Sequence, residues 1–559
     1  MKNLICVYFL LAFSVFLGAQ TAEKLEIMLN TGAISYEQAA WLSLEAADVW
    51  DLSGSTESPD AYEAFVVAQE QQWLNAGIGS KDYARLDAVS LLLMRSFGLK
   101  GGMFYSLAQN PHYAYRELVY QEIIQGRTEP GMNVSGDMLV FMVNRILSSL
   151  EGENWSPVAS IKPRGLNDNT AGQSAAQHAR SGDFGVILDL NAGYGGYGSK
   201  PDFNYSGMII PRFSTLIGSS GEFYISAGFK AEYSESWSFI PELLRTEFTW
   251  SFDGGALKAG RMHYSDPLGF VADGLFDGFR LSFDTDAGTF GAGAWYTGFL
   301  YKKRANIAMS TDDLSKLGAE FKYDDFFNTY FASRRVMAAF NWYHPGIAEL
   351  VRVDLALLGQ FDLNDPDKLA DGIHSLYISG NVTIPFNFFT LSFGPCFELA
   401  QMAGDLNFAL AGELGVAIDL PTPLEDQLTI LGRYSSGNWE DSSFIAFMPL
   451  TNKNMGELLK PKFSGISLIS LNYLARLNRT MSVEGSSTYF IRNDLGTYPL
   501  YGTEGYFLGN EFFARFYWSP FSDMQLNLGA GVFLPSLGNA APKTDILWRA
   551  ELNLILSLF

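Results

Sequence analysis

Met524–Val532 reads MQLNLGAGV. Leu526, Leu528, Ala530 and Val532 alternate with Gln525, Asn527 and Gly529. In an extended chain successive side chains point to opposite faces, so this segment is a strand with one apolar and one polar face. Leu376, Ile378, Gly380, Val382 and Ile384 alternate with polar neighbours in SLYISGNVTI. Val351, Val353, Leu355 and Leu357 alternate with Arg352, Asp354 and Ala356. A dyad repeat over about ten residues suits a tilted strand that crosses a bilayer.

The connections carry the stronger signal. Short ones stand at 218–221, 253–255, 284–288, 344–347, 385–387, 421–426, 477–479 and 519–521, and long ones between them at 265–278, 302–325 and 437–462. A soluble sandwich has no reason to sort its loops by parity, whereas a membrane barrel has short turns on one side and long loops on the other. The expected fold is an all-β antiparallel transmembrane barrel over residues 183–559, with eighteen strands and sixteen as the alternative. Eighteen strands leave roughly 21 residues for each strand with its loop, enough for spans of nine to eleven residues.

Upstream the period changes. Residues 23–150 show apolar positions at spacings of three and four, as in Leu86, Val89, Leu92, Leu93 and Phe97. Helix starts are marked by Ser35, by Ser58-Pro59 and by Asp82. A repeat is visible: MLNTG ends at Gly32, WLNAG at Gly77 and IIQG at Gly126, each followed by a loop and an apolar helix. Residues 151–182 read as a linker rich in Gly, Asn, Ser, Ala and Gln. At the start, Lys2, the apolar run Leu4 to Leu17 and Leu17-Gly18-Ala19 read as a signal peptide over 1–19, cleaved after Ala19, with Ala22 as the alternative.

The spacing over 25–150 resembles S-layer homology modules. That resemblance implies contact with a cell-wall polymer through an Arg and an acid at the helix opening. The second unit keeps that pair as Arg85 and Asp87, while the other two read SYEQ at 35–38 and SGDM at 135–138. A first-turn ion pair in solvent is the alternative reading of Arg85 and Asp87. The stretch AGRMHYSDPLGFVADGLFDGFRLSF, with Arg261 and Arg280, is similar to a Gly-Arg…Asp-Gly hairpin of large substrate-selective porins. A loop holding Asp266, Asp273 and Asp277 would there form a constriction or a surface loop.

Composition limits function. The 559 residues carry 38 Lys and Arg against 60 Asp and Glu, a net charge of −22, which argues against nucleic acid. Of two cysteines, Cys6 lies in the leader and Cys396 stands alone, so neither a disulfide nor a cysteine metal site is expected in the mature chain. Five histidines, with no Ser or Asp at a spacing that specifies a dyad, and no nucleotide motif, leave no expected catalytic site, metal or cofactor.

Alternation places charges on the inner face. Arg280, Asp284, Arg352, Asp354, Glu413, Arg433, Asn472, Arg476, Glu484, Glu511, Arg515, Arg549 and Glu551 are the expected pore lining. A basic side chain on the lipid face at the midplane costs about 2–4 kcal/mol, so mid-strand charges point inward. The expectation is an outer-membrane channel for passive diffusion of small polar or anionic solutes. The expected partners are outer-membrane lipid, the barrel-assembly machinery and peptidoglycan or another cell-wall polymer. A structural tether and a gated transporter of hydrophobic substrates are the alternatives. The terminal strand WRAELNLILSLF ends on Phe559, one step off the row of Leu552, Leu554, Leu556 and Leu558. The oligomeric state is not legible.

Overall fold

The computed structural model describes residues 28–49, 60–150 and 183–558, apart from 30, 76, 126, 127, 129, 219, 234, 235, 348, 349, 365–371, 403, 440, 441, 479 and 497–504. The signal-peptide reading, the linker and Phe559 lie outside the described residues. The chain divides into a helical unit and a barrel unit.

The helical unit holds α1 (Tyr36–Ala47), α2 (Ala61–Glu70), α3 (Leu86–Ser96), α4 (Met103–Leu107), α5 (Pro111–Tyr120) and α6 (Gly136–Leu150). Ser35 opens α1 with a capping box: its hydroxyl accepts from Gln38 N–H at 3.4 Å, and Gln38 Oε1 accepts from Ser35 N–H at 2.8 Å. α2 is capped by Asp60, and the start expected at Ser58-Pro59 lies outside the described residues. α3 begins at Leu86, four residues after the expected Asp82, because residues 82–85 are drawn into a backbone junction. Ile34 N–H donates to Val134 O at 2.9 Å, Val134 N–H to Ala84 O at 2.9 Å, and Ala84 N–H to Ile34 O at 2.8 Å. These bonds form a closed ring of three segments, one before each of α1, α3 and α6. The three residues are fully buried, as are Leu86, Val89, Leu92 and Leu93 on the packed face of α3. The sequence repeat therefore has a structural counterpart in a pseudo-threefold junction.

The barrel is a single antiparallel sheet. Its strands are β1 (Asp183–Tyr197), β2 (Lys200–Ile217), β3 (Gly221–Tyr233), β4 (Trp237–Phe252), β5 (Gly255–Ser265), β6 (Asp273–Thr285), β7 (Gly288–Tyr296), β8 (Arg335–Ile347) and β9 (Val351–Asp362). They continue as β10 (His374–Pro385), β11 (Phe389–Met402), β12 (Asp405–Asp419), β13 (Gln427–Ser435), β14 (Ile466–Asn478), β15 (Met481–Arg492), β16 (Phe507–Phe521), β17 (Met524–Leu534) and β18 (Leu547–Leu558). Each pairs with its sequence neighbours, and β1 pairs with β18 from Val186↔Leu558 to Tyr197↔Leu547, so all eighteen strands close into a barrel.

At one end the connections are tight, as at 253–254, 286–287 and 386–388. At the other they include 266–272, 297–334, 436–465 and 535–546. The parity is real but not absolute: 198–199, 234–236 and 403–404, at the long-loop end, are also short. Some expected turns shift. Residues 344–347 belong to β8, where the register slips between His344 and Ile347, and 519–521 belong to β16. The loop expected over 265–278 shrinks to 266–272, because Asp273 to Gly278 pair with β5.

Large apolar side chains cover the outside. Phe279, Phe283, Phe340 and Leu357 share the outer face and are each 44–53% exposed. No helix among the described residues is long and apolar enough to cross a membrane, which says nothing of strands.

Gly260 bends the wall. Its φ is +113°, and a Cβ there would stand 1.8 Å from Thr246 O. Only glycine fits a left-handed position with so close a backbone approach. Gly260→Val is expected to break the β4–β5 pairing and to destabilise the barrel by at least about 2 kcal/mol. A lowered temperature for loss of the compact barrel band on unboiled gels would show it; an unchanged temperature would refute it.

Candidate functional site

The inner face divides into two halves along the barrel axis. Toward the tight-turn end lie the charged side chains. Arg280 on β6 pairs with Gly293 on β7 and lies over Gly291, where a Cβ would stand 3.2 Å from the guanidinium. Arg212 on β2, Arg245 on β4 and Lys258 on β5 lie on the same inner wall as Arg280, and Lys258 sits directly across from Arg280 in register. Glu247 takes Arg245 at 2.5 Å and Lys258 at 2.9 Å. The guanidinium of Arg245 also lies 5.0 Å from the Tyr224 ring centre.

The other expected lining residues are found as follows. Asp284 accepts from Thr289 Oγ1 at 2.7 Å near the rim. Arg352 is exposed at the start of β9, and half-buried Asp354 stands opposite Asn381. Glu413 and Arg433 form an ion pair at 2.6 Å. Arg476 reaches Glu425, in the turn between β12 and β13, at 2.9 Å. Arg515 bridges Glu457 at 2.9 Å and Glu551 at 2.8 Å, and Arg549 stands 3.6 Å from Glu551. Glu484 accepts from Tyr517 Oη at 2.8 Å. Most of these charges are therefore braced by a neighbour as well as turned to the interior.

Toward the long-loop end the interior is packed with apolar side chains. Phe270 and Val271 from 266–272 meet Phe447, Leu450, Met455 and Phe463 from 436–465, all nearly or fully buried. They lie against strand residues such as Trp295, Met337, Tyr377 and Phe490. The two loops are joined by backbone bonds: Leu450 and Thr451 N–H both donate to Val271 O, at 2.8 and 3.1 Å. Arg433 sits below this block, its guanidinium 5.6 Å from the Phe270 ring centre. The expected inward charges thus lie under a block of packed apolar loops that strand alternation does not announce.

Buried acids tie the loops down. Asp266 folds 266–272 onto itself by accepting from the N–H groups of Leu268, Val271 and Ala272 at 3.2, 2.8 and 2.9 Å. Burial pushes its carboxyl above the usual range, against those three bonds. Glu511 does not face open water. It accepts from the N–H groups of Glu457, Leu458 and Leu459 at 2.7, 3.0 and 2.9 Å. Asp273 is a strand residue, 3.0 Å from His263 Nε2. Asp277 shares the outer face of Phe279 and takes Arg261 in a fork at 2.8 and 2.7 Å. The three aspartates of the expected constriction loop thus divide: one inside the loop, two on β6. In the helical unit, Arg85 and Asp87 form a 2.9 Å pair with the Arg side chain 56% exposed.

Sequence reasoning missed the anchor of 297–334. Arg335, with no exposed surface, takes Asp313 at 2.8 Å, Asp362 at 3.1 Å and Gln360 Oε1 at 2.9 Å. Removing one partner of such a buried set costs about 3–5 kcal/mol. It also missed Glu398, which accepts from Met448 N–H at 2.8 Å and Ser375 Oγ at 3.0 Å. Arg335 follows Arg334 at a loop-strand junction, where charge is commonplace. A charge at mid-strand beside outward Phe397 was the available signal for Glu398. No cluster of potential metal ligands exists among the described residues.

No family model and no curated protein sequence matches the chain. Among solved structures, the outer membrane protein OprD of Pseudomonas aeruginosa is 13% identical with a TM-score of 0.46, over 68% of this chain and 95% of that one. OccK11 (OpdR) of the same organism is 13% identical with a TM-score of 0.46, over 68% and 98%. OpdK, solved with vanillate, is 10% identical with a TM-score of 0.46, over 67% and 98%. Similarity this slight carries no argument about what passes through the barrel.

Lys462 offers a test of the loop packing. Burial pushes its ammonium down to about 8 from the usual 10.5. The folded loop then binds fewer protons than the unfolded one between those values, so its stability rises as pH climbs through that window. Proteolytic nicking of 436–465 is expected to slow between about pH 8 and 10. Lys462→Met should remove the dependence. A pH-independent nicking rate in the parent would contradict it.

Proposed function

We propose that the barrel spans an outer membrane and conducts small polar or anionic solutes by passive diffusion. The observation that supports this most is the row Arg212, Arg245, Lys258 and Arg280 on one wall of the charged half. Guanidinium groups hold planar anions with forked donors, and a cationic wall raises the local concentration of anions. Glu247 holds Arg245 and Lys258 in place without covering Arg280. The apolar outer face matches lipid, and the packed loops narrow the entrance to what passes between them. Single-channel recording in planar bilayers is expected to give a chloride-over-potassium preference. Arg280→Glu should move the reversal potential toward cation preference, with open conductance changed less than about threefold. A reversal potential that does not move would sink the anion reading; a closed barrel would sink the channel.

We further propose that the helical unit contacts the cell wall. The pseudo-threefold junction, which presents three helix openings in equivalent settings, supports a polymer-binding module. The full chain is expected to sediment with purified peptidoglycan sacculi, and Arg85→Ala with Asp87→Ala to weaken that several-fold. Failure of the parent to sediment would end this reading.

A further inference from the structure

The hydrogen-bonded wall is incomplete between β4 and β5. β4 pairs with β5 only from Thr246↔Arg261 to Phe252↔Gly255, while Trp237 to Arg245 meet no strand on that side. Above Gly260, β5 leaves β4 and its residues 262–265 pair with β6 alone. The free edge of β4 is capped by side chains instead. Tyr323 Oη donates to Phe239 O, Tyr330 Oη to Pro241 O at 2.7 Å, and Arg261 Nη1 to Leu243 O. Every second carbonyl is thus satisfied, as it must be at lipid depth. Pro241 sits where the missing ladder asks for no N–H, the position a sheet edge tolerates.

The seam lies opposite lipid. At about 3.3 Å per residue and a tilt near 45°, Thr246 stands about 14 Å and Phe239 about 30 Å above the tight-turn end of β4. The apolar band of such a barrel is about 25 Å tall, so the gap opens onto its upper part. Aromatic rings line the way through. Tyr301 and Tyr330 pack on buried Ile240 from the inside, with centroids 5.0 Å apart, while Phe239 and Tyr323 are 59% and 63% exposed outside. The segment that fills the gap, 297–334, meets the edge of β4 through these phenols, the Arg261 guanidinium and the Arg304–Glu242 ion pair at 2.8 Å rather than through a strand ladder.

We propose that this seam is a lateral portal for single-tailed anionic amphiphiles. The anionic head travels in the charged half of the lumen, and the alkyl tail passes between β4 and β5 when the Tyr323 and Tyr330 caps release. The two phenol bonds are worth about 1 kcal/mol each and the contacts of the Arg261 and Arg304 guanidinium groups about 1.5–3, discrete contacts that stand in place of a ladder. This goes beyond the diffusion channel and fails separately from it, since chloride conductance reports on the channel alone.

The test follows a fluorescent dodecyl sulfonate across the bilayer of vesicles holding the full chain; its charged head crosses protein-free lipid slowly. A cleavable bis-maleimide would link Pro241→Cys to Tyr330→Cys in a background carrying Cys6→Ala and Cys396→Ala. Linking is expected to slow sulfonate movement at least tenfold, to leave chloride conductance within twofold, and to be reversed on cleavage. Tyr323→Phe with Tyr330→Phe keeps the rings, removes both caps and is expected to speed movement several-fold. The portal is overturned if unlinked protein moves the sulfonate no faster than empty vesicles. It is equally overturned if the linker has no effect, or if movement and conductance fall together.

Discussion

The ladder between β1 and β18 joins the two ends of the barrel sequence and closes the sheet on itself. Everything else in the barrel depends on that closure. In hydrocarbon an unpaired N–H or C=O costs several kcal/mol, so a spanning sheet must return on itself. Once it does, strand alternation sends one row to the outside and one to the interior, and the wall becomes a scaffold on which inward loops can rest. The pairing Asn527↔Asn553 and the contact of Asn553 with Asp189 at 2.7 Å show polar side chains gathering on the inner side of this junction.

Where the ladder is interrupted, at β4 and β5, the same constraint acts through side chains. Arg261 illustrates it: one guanidinium satisfies Leu243 O, Phe299 O and the Asp277 carboxylate. Its place on the outer face would be costly if it were bare, and it is 6% exposed. The charge is tolerated because every donor direction named here ends on an acceptor.

The inner loops follow a second constraint. A loop folded into a lumen must satisfy its own backbone, and here acids do that work from inside. Asp266 and Glu511 each collect three N–H groups, and Glu398 takes Met448 N–H. With the backbone satisfied, Phe270, Phe447 and Phe463 can pack dry at one end of a barrel whose other end is charged. In the helical unit, the ring of bonds through Ile34, Ala84 and Val134 plays the corresponding part, since it satisfies backbone at the buried centre of the repeat.

The closed barrel and its eighteen strands were legible in the sequence, as was the face that a strand residue takes. They follow from local periodicity, and periodicity of two has one meaning once a backbone must be fully bonded. Arg280, Glu413 and Arg433 were readable for that reason: their neighbours at one step, Phe279, Leu414 and Tyr434, are outward and greasy. Tertiary structure alone decided what those charges meet. Whether Glu511 faces water or a loop backbone depends on where residues 457–459, more than fifty positions away, come to lie. Whether Asp277 lines a constriction or clamps Arg261 depends on a register that starts β6 at Asp273. The incomplete β4–β5 seam is likewise absent from any local pattern, because alternation describes which face a residue takes and not which partner its backbone finds.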